Sequence, residues 1–223
     1  MKKDGVRILG LMAAGCLCMA LVDGWIRPGY LWKSGIKIAL FLLLPLLYRR
    51  WDPAFRPLSL FRTAGKHAAL AAAVGVGLYG LIVGGYFALR SVLDFSGVAG
   101  TLTAQTGVSG SNFLFVALYI SFVNSLLEEY FFRGFGFLYL KTKIGRKMAY
   151  GAGAALFAGY HAAMMLGWYD LPTFVLMLAG LFAGGLLFSF ADEKTDSILL
   201  SWLIHMFANF AINTVGFLLF AGR

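Results

Sequence analysis

The chain has 223 residues, of which 60% are hydrophobic and 13% are charged, with a formal net charge of +9 and a mean hydropathy of +0.79. This composition excludes an ordinary soluble domain and predicts a polytopic membrane protein. The basic residues fall between apolar runs, where membrane topology explains them better than nucleic-acid binding does. We therefore expect no nucleic-acid partner.

Three membrane spans are predicted in the first half of the chain. The first, residues 7–22, follows MKKD and is expected to be a retained helix rather than a cleaved signal peptide. Its two cysteines, Cys16 and Cys18, are expected to act as small hydrophobic residues. The second span is predicted at about 34–48. The third, at about 68–91, is rich in glycine and alanine and is suited to close helix packing.

The basic loops set the predicted topology. Residues 49–67 form the most basic loop, and residues 141–147 (KTKIGRK) form a second one. Loops of this kind are retained on the cytoplasmic side of the membrane. Further spans are predicted at about 148–167, 172–191 and 197–221. We therefore expect about seven spans, a cytoplasmic N-terminus and a C-terminus on the opposite side.

The stretch from 112 to 141 is predicted to be a membrane helix with three charged residues near its middle, Glu128, Glu129 and Arg133. A charge at bilayer depth costs at least about 2.5–3.5 kcal/mol on insertion scales, and such residues usually face the protein interior and have a function. Glu129 and Arg133 have the favourable spacing and order for an ion pair on a helix. Glu128 points about 100° away and shares a face with Asn124. The spacing predicts one paired and one unpaired carboxylate.

Two later spans contribute His161, His205 and Asn209. With about 1.5 Å of rise per helical residue, Glu128, His161 and Asn209 are predicted at one depth, with His205 a turn nearer the cytoplasm. A desolvated carboxylate is suited to act as a general base toward water. An imidazole or carboxamide N–H can stabilise the oxyanion that develops. These residues predict hydrolysis of a carbonyl bond inside the membrane.

Three motifs resemble those of the CPBP family of intramembrane proteases, also known as CAAX proteases and bacteriocin-processing enzymes. EEYFFRG at 128–134, FAGYH at 157–161 and HMFAN at 205–209 are similar to the family's EExxxR, FxxxH and HxxxN, in this order. The resemblance covers about residues 112–215. Each motif alone is weak, but the three in order on successive spans are a strong signal.

The resemblance implies an all-helical, glutamate-dependent endopeptidase. Glu128 would activate water, with His161 beside it. His205 and Asn209 would form the pair that stabilises the oxyanion. Glu129 and Arg133 would support them. Asn124, which shares a helix face with Glu128, is also expected to be a supporting residue.

The expected substrate is a membrane-anchored or C-terminally tailed peptide, and the other expected partners are membrane lipids. Residues 1–111 are predicted to form N-terminal membrane helices without motifs, and residues 112–223 a catalytic helical core. We expect an integral protein of the bacterial cell (inner) membrane whose active site opens to the cytoplasmic half.

Two questions stay open in the sequence. Glu128, His161 and His205 provide a possible zinc-binding His₂Glu set, but no HExxH motif is present, and Glu128 is more useful as a base than as a ligand. The sequence therefore favours a mechanism without a cofactor. The alternative functions are a noncatalytic bacteriocin-immunity or scaffold protein and, with less support, a proton-coupled transporter. A transporter predicts inverted repeats and broken helices, and the sequence shows neither.

Overall fold

The computed structural model describes residues 3–62, 65–95 and 97–221, and this part of the chain contains helices but no strand. A short 3₁₀-helix, Pro57–Phe61, lies between the second and third helices. The longer helices are α1 (Lys3–Ile26), α2 (Tyr30–Tyr48), α3 (His67–Leu89), α4 (Val98–Thr106), α5 (Phe113–Ile144), α6 (Arg146–Met164), α7 (Leu171–Glu193) and α8 (Leu199–Ala221). The prediction of an all-helical bundle is confirmed.

Six of these helices, all except α4 and α6, are long and apolar enough to cross a membrane. Helix α6 has 19 residues and coincides with the predicted fifth span, so the expectation of about seven spans agrees with the bundle. Helix α4 has nine residues and lies in the connection between α3 and α5. The sidedness of the N-terminus stays a prediction, and the last two residues lie outside the described part of the chain.

Helix α5 changes its winding along its length. It is α-helical over Phe113–Tyr119 and Ser125–Glu128, and π-helical over Ile120–Asn124 and Glu129–Tyr139. π-Helical turns are rare and occur frequently at functional sites. The expectation of one regular α-helix in this stretch was therefore too simple.

Side chains of α8 donate to backbone carbonyls of α5 in the first π-helical segment and in the α-helical turn just before it. The bonds are Trp202 Nε1 to Phe122 O at 3.1 Å, Asn209 Nδ2 to Ile120 O at 3.1 Å and Asn213 Nδ2 to Ala117 O at 3.2 Å. Groups that interact with the helical hydrogen-bond ladder are a recognised cause of local distortion. Because the donors come from another helix, the altered winding was not visible in the sequence of α5 itself.

The main core lies between α1, α2, α5 and α6 and is largely aromatic. Phe131, Phe132, Phe135 and Phe137 of α5 are at most 1% exposed. Phe41 of α2 stacks on Phe131 with 4.2 Å between ring centroids. The N-terminal helices therefore share one core with the motif-bearing part of the chain. The predicted division into two parts stays a prediction.

The connection after α2 is attached to the end of α5. Asp52 accepts hydrogen bonds from Lys143 Nζ at 2.6 Å and from the Tyr139 hydroxyl at 2.5 Å, and these bonds lower the pKa of Asp52 to about 2. A carboxylate with so low a pKa stays charged across the physiological pH range, so this attachment does not depend on pH there.

The 3₁₀-helix covers the same end of the bundle. The Ile198 N–H donates to the Leu60 carbonyl at 2.9 Å, and the Ser197 hydroxyl donates to the Arg62 carbonyl at 2.8 Å. We call this the basic end, because it contains the two basic loops predicted to be cytoplasmic. The opposite end, where α1 finishes and α2 begins, we call the α1–α2 end.

Candidate active site

The Glu128 carboxylate lies inside the bundle, 2% exposed, and one of its oxygens faces two imidazoles. Glu128 Oε2 is 3.8 Å from His161 Nε2 and 3.7 Å from His205 Nε2. The three residues come from α5, α6 and α8, so they meet only in the folded bundle. The structure thus brings together three of the four side chains predicted to be catalytic.

Each imidazole is oriented through its other nitrogen. His205 Nδ1 lies 2.7 Å from Glu129 Oε1, and His161 Nδ1 lies 2.9 Å from the Phe157 carbonyl oxygen. Since a carbonyl or carboxylate oxygen only accepts hydrogen bonds, both Nδ1 atoms carry a proton, and Nε2 of a neutral ring is then an acceptor. Two acceptor nitrogens beside the Glu128 oxygen favour a donor at this point, such as a water molecule.

The predicted pair of Glu129 and Arg133 is formed, with 3.3 Å between Oε1 and Nη1. The Arg133 guanidinium also lies over the rings of Phe157 and Phe188, at 3.9 and 4.9 Å from their centroids. Glu129 therefore has a cation on one side and His205 on the other. This arrangement holds the His205 imidazole in place through Glu129. Glu128 is the carboxylate that remains to act on a water molecule.

Lys37 of α2 is the partner that the sequence analysis missed. Its ammonium contacts Glu128 Oε1 and donates to Asn124 Oδ1 at 2.6 Å, and the residue is only 5% exposed. Asn124 Nδ2 donates to the same Glu128 oxygen at 3.1 Å. The prediction that Glu128 is unpaired was therefore wrong. The available signal was a lysine inside the apolar run GIKIALFLLL, an intramembrane charge like the glutamates themselves.

Asn209 lies apart from this group. Its Nδ2 donates to the Ile120 carbonyl, whereas His205 is the α8 residue that faces Glu128. The predicted order of depths is therefore wrong for these two residues. The estimate assumed regular α-helices with aligned ends, and the π-helical segments of α5 and the stagger between helices change the register.

The proposed zinc ligands match zinc in their chemistry but not in their spacing. Tetrahedral zinc with bonds of about 2.0–2.1 Å needs donor atoms roughly 3.3 Å apart. Nε2 of His161 and of His205 lie 3.8 and 3.7 Å from Glu128 Oε2. Among the described residues no group of three or more His, Cys, Asp or Glu side chains is arranged to hold a metal ion. The expectation of a mechanism without a metal stays a prediction.

Residues 110–211 match a protein family described as type II CAAX prenyl endopeptidase Rce1-like. Glu128, His161 and His205 lie inside the matched segment, whereas Lys37 lies outside it. The comparisons with curated proteins and with solved structures give no match. The family resemblance inferred from the three motifs is confirmed.

Proposed function

From the match of residues 110–211 to the Rce1-like endopeptidases, we propose that this chain hydrolyses a peptide bond inside the membrane with water activated by Glu128. The family is one of proteases, and the apolar helices make the chain an integral membrane protein. One observation carries the mechanism: the Nε2 atoms of His161 and His205 both face Glu128 Oε2, at 3.8 and 3.7 Å.

In the proposed reaction a water molecule lies beside Glu128 Oε2 and the imidazole nitrogens. Its oxygen bonds to the scissile carbonyl carbon while its proton moves to Glu128. His205 or His161 donates a hydrogen bond to the oxyanion that forms, after its Nε2 has taken up a proton from water. The C–N bond then breaks, and the proton held by Glu128 passes to the leaving nitrogen, so that the carboxylate is restored.

The surrounding residues prepare Glu128 for this role. Lys37 and Asn124 bind Oε1, which leaves Oε2 directed at the imidazoles. An adjacent ammonium also favours the charged carboxylate, which a general base requires, and so opposes the effect of burial. Glu129 orients His205 from the opposite side.

Asn209 was the other residue expected to stabilise the oxyanion. One hydrogen of its amide is engaged by the Ile120 carbonyl, which leaves one hydrogen for a substrate. We therefore propose the imidazoles as the main hydrogen-bond donors to the oxyanion and Asn209 as a second donor. The mechanism uses no metal, in keeping with the spacing of the three possible ligands.

The substrate we propose is a membrane-anchored or C-terminally tailed peptide in a bacterial cell membrane. The decisive experiment uses the enzyme purified in detergent and peptides anchored by a prenyl or an acyl chain. Mass spectrometry of the products would identify the cleaved bond, with the Glu128→Gln enzyme as the control. If the folded wild-type protein cleaves none of these peptides, the noncatalytic immunity or scaffold function is favoured instead.

A further inference from the structure

We propose that Asp192, a residue of α7 that belongs to none of the three motifs, positions the His205 imidazole by fixing the first turn of α8. The proposal rests on the proposed function, because it concerns a catalytic group of the same site. Asp192 acts through Ser201 rather than on the substrate, so its role is to hold His205 in the working position.

The Asp192 carboxylate is joined to Ser201 through both of its oxygens. Oδ1 accepts a hydrogen bond from the Ser201 backbone N–H at 2.9 Å, and Oδ2 accepts one from the Ser201 hydroxyl at 2.6 Å. Both residues are completely buried, each with 0% exposure. Because the two oxygens bind a backbone and a side-chain donor of one residue, they fix both the position and the rotation of this residue.

Ser201 lies where an outside partner affects the whole start of α8. It is the third residue of the helix, which begins at Leu199, and the first four N–H groups of an α-helix have no partner within the helix. A carboxylate is also favoured there by the helix dipole. Asp192, in the last turn of α7, therefore determines where α8 begins relative to α7.

The position of this first turn is passed on to the imidazole. His205 is one helical turn after Ser201 and lies on the same face of α8. Its Nδ1 is 2.7 Å from Glu129 Oε1, and its Nε2 is 3.7 Å from Glu128 Oε2. A misplacement of about 1 Å can lower the rate of a catalysed step by about 10²-fold. A shift of the first turn of α8 is therefore expected to affect catalysis.

Helix α7 supports His205 at a second point, one turn before Asp192. The ring of Phe188 stacks on the His205 ring, with 5.1 Å between centroids and 27° between planes. The same ring lies 4.9 Å from the Arg133 guanidinium carbon. Asp192 also acts electrostatically on Arg133, as Glu129 does. One face of α7 thus holds the His205 imidazole and the cation behind it.

Three variants separate positioning from general stability. Asp192→Ala removes both hydrogen bonds to Ser201, whereas Asp192→Asn keeps the size of the side chain and an acceptor oxygen for the Ser201 N–H. Asp170→Ala is the matched control, because Asp170 accepts the Thr173 N–H at 3.2 Å in the first turn of α7, at the α1–α2 end. Thermal unfolding in detergent shows which variants fold.

The first measurement does not require cleavage. The chain has three histidines, so an NMR spectrum of protein labelled with ¹⁵N-histidine contains few ring signals, and substitution of each histidine by glutamine assigns them. We expect Asp192→Ala to change the ring signals of His205, because its hydrogen bond to Glu129 is altered, and to leave those of His67 unchanged. In Asp170→Ala all of them are expected to stay unchanged. Unchanged His205 signals in a folded Asp192→Ala protein would overturn the proposal.

The second measurement is the cleavage of a lipid-anchored peptide. We expect Asp192→Ala to lower kcat by about tenfold to a hundredfold with KM nearly unchanged, since a displaced His205 affects the transition state more than peptide binding. Asp192→Asn is expected to retain most of kcat, and Asp170→Ala all of it. A wild-type kcat for folded Asp192→Ala, or an equal loss in Asp170→Ala, would contradict a positioning role.

If Asp192→Ala does not fold, Ser201→Ala replaces it in both measurements. This change removes only the hydroxyl hydrogen bond, and alanine is favoured in a helix. We expect altered His205 signals and a smaller fall in kcat, and the absence of both would overturn the proposal. If the wild-type protein cleaves no peptide, the proposed function fails by itself, whereas the NMR comparison still decides whether Asp192 positions His205.

Discussion

The two oxygens of the Glu128 carboxylate have different neighbours. Oε1 is held by Lys37 and Asn124, and Oε2 faces the imidazoles of His161 and His205. A carboxylate that is fixed through one oxygen can present the other in a constant direction, which is what positioning a water molecule requires. Both oxygens are therefore expected to affect turnover, for different reasons.

The first prediction concerns the base. Glu128→Gln keeps the size of the side chain but removes proton acceptance, so turnover is expected to fall by about 10²–10⁴, the usual contribution of general acid–base catalysis. Peptide cleavage by purified enzyme measures the effect. Glu193→Gln at the bundle surface, where Glu193 pairs with Arg146, is the matched control. Cleavage near the wild-type rate by a folded Glu128→Gln enzyme would show that Glu128 is not the general base.

The second prediction concerns Lys37. Lys37→Met leaves the Glu128 carboxylate buried without its cation, a change that costs about 3–5 kcal/mol when one member of a buried pair is removed. In the Glu128→Gln background the same change is expected to cost much less, because no charge is left unpaired. Thermal unfolding of the two single variants and the double variant measures this coupling. Additive effects would show that the two side chains do not act as a pair.

The third prediction concerns metal. Cleavage is expected to continue after treatment with a chelator, because in the proposed mechanism Glu128 acts as a general base toward water and not as a metal ligand. Elemental analysis of the active, purified enzyme provides the independent measurement. Stoichiometric zinc, together with activity that a chelator removes and zinc restores, would contradict the metal-free mechanism and leave the site residues unchanged.

Sequence motifs located much of the site but not all of it. The spacing of Glu129 and Arg133 predicted their pair, and the motif residues led to Glu128 and both imidazoles. Lys37 is 91 residues from Glu128 in the chain. Contacts over such separations depend on which helices pack together, and local spacing carries no information about them. The direction of the Asn209 amide also depends on how the helices pack, so local spacing did not predict it.

Helix packing depends on small residues at a few crossings, and Gly185 is the clearest case. A Cβ added there would lie 3.0 Å from the Ala154 Cα, a backbone atom of α6, whereas a Cβ at the neighbouring Gly184 would meet nothing within 4 Å. Small residues allow close approach of this kind in membrane bundles.

The fourth prediction uses these two glycines. Gly185→Ala is expected to push α6 and α7 apart and to lower the melting temperature, because a backbone atom cannot move aside as a flexible side chain can. Gly184→Ala, the matched control, is expected to leave it unchanged or slightly higher, since alanine favours the helix. Unfolding in detergent compares the variants. Equal melting temperatures for both would show that this crossing is not tightly packed.

The helices themselves were largely predictable. Apolar runs give their positions to within a few residues, because the polar residues and turns that end a run are local features. The winding of α5 was not predictable in this way, since Asn209, Asn213 and Trp202 of another helix contact its carbonyls. Local sequence describes where a helix lies better than how tightly it is wound.

At the level of the whole molecule, the basic loops predict which end of the bundle faces the cytoplasm. The fifth prediction follows from them. A reporter inserted in residues 141–147 is expected to be cytoplasmic, and one fused after Arg223, which lies outside the described residues, is expected to be non-cytoplasmic. Enzymatic reporters that work on one side of the membrane provide the measurement. A cytoplasmic signal from the C-terminal fusion would mean that one predicted span does not cross.

Composition and loop charge were sufficient to predict a helical membrane bundle, because both reflect the bilayer as a solvent. They do not give the details of side-chain packing. The predicted opening of the active site to the cytoplasmic half stays a prediction. The packing of Leu60 against Gly134 depends on which side chains meet in three dimensions, and composition carries no information about that.

The π-helical winding of α5 also limits how this chain can change in length. A π turn contains roughly one residue more than an α turn. The number of residues from Glu129 to Tyr139, eleven in this chain, therefore sets the direction in which the side chains before and after the segment point, as well as the distance between them. Deleting one of them would favour ordinary α-helical winding and turn the residues on either side by about 100° relative to each other. Substitutions in α5 can therefore be accommodated one side chain at a time, whereas a single-residue insertion or deletion would misdirect the carboxylates even where every remaining side chain is kept.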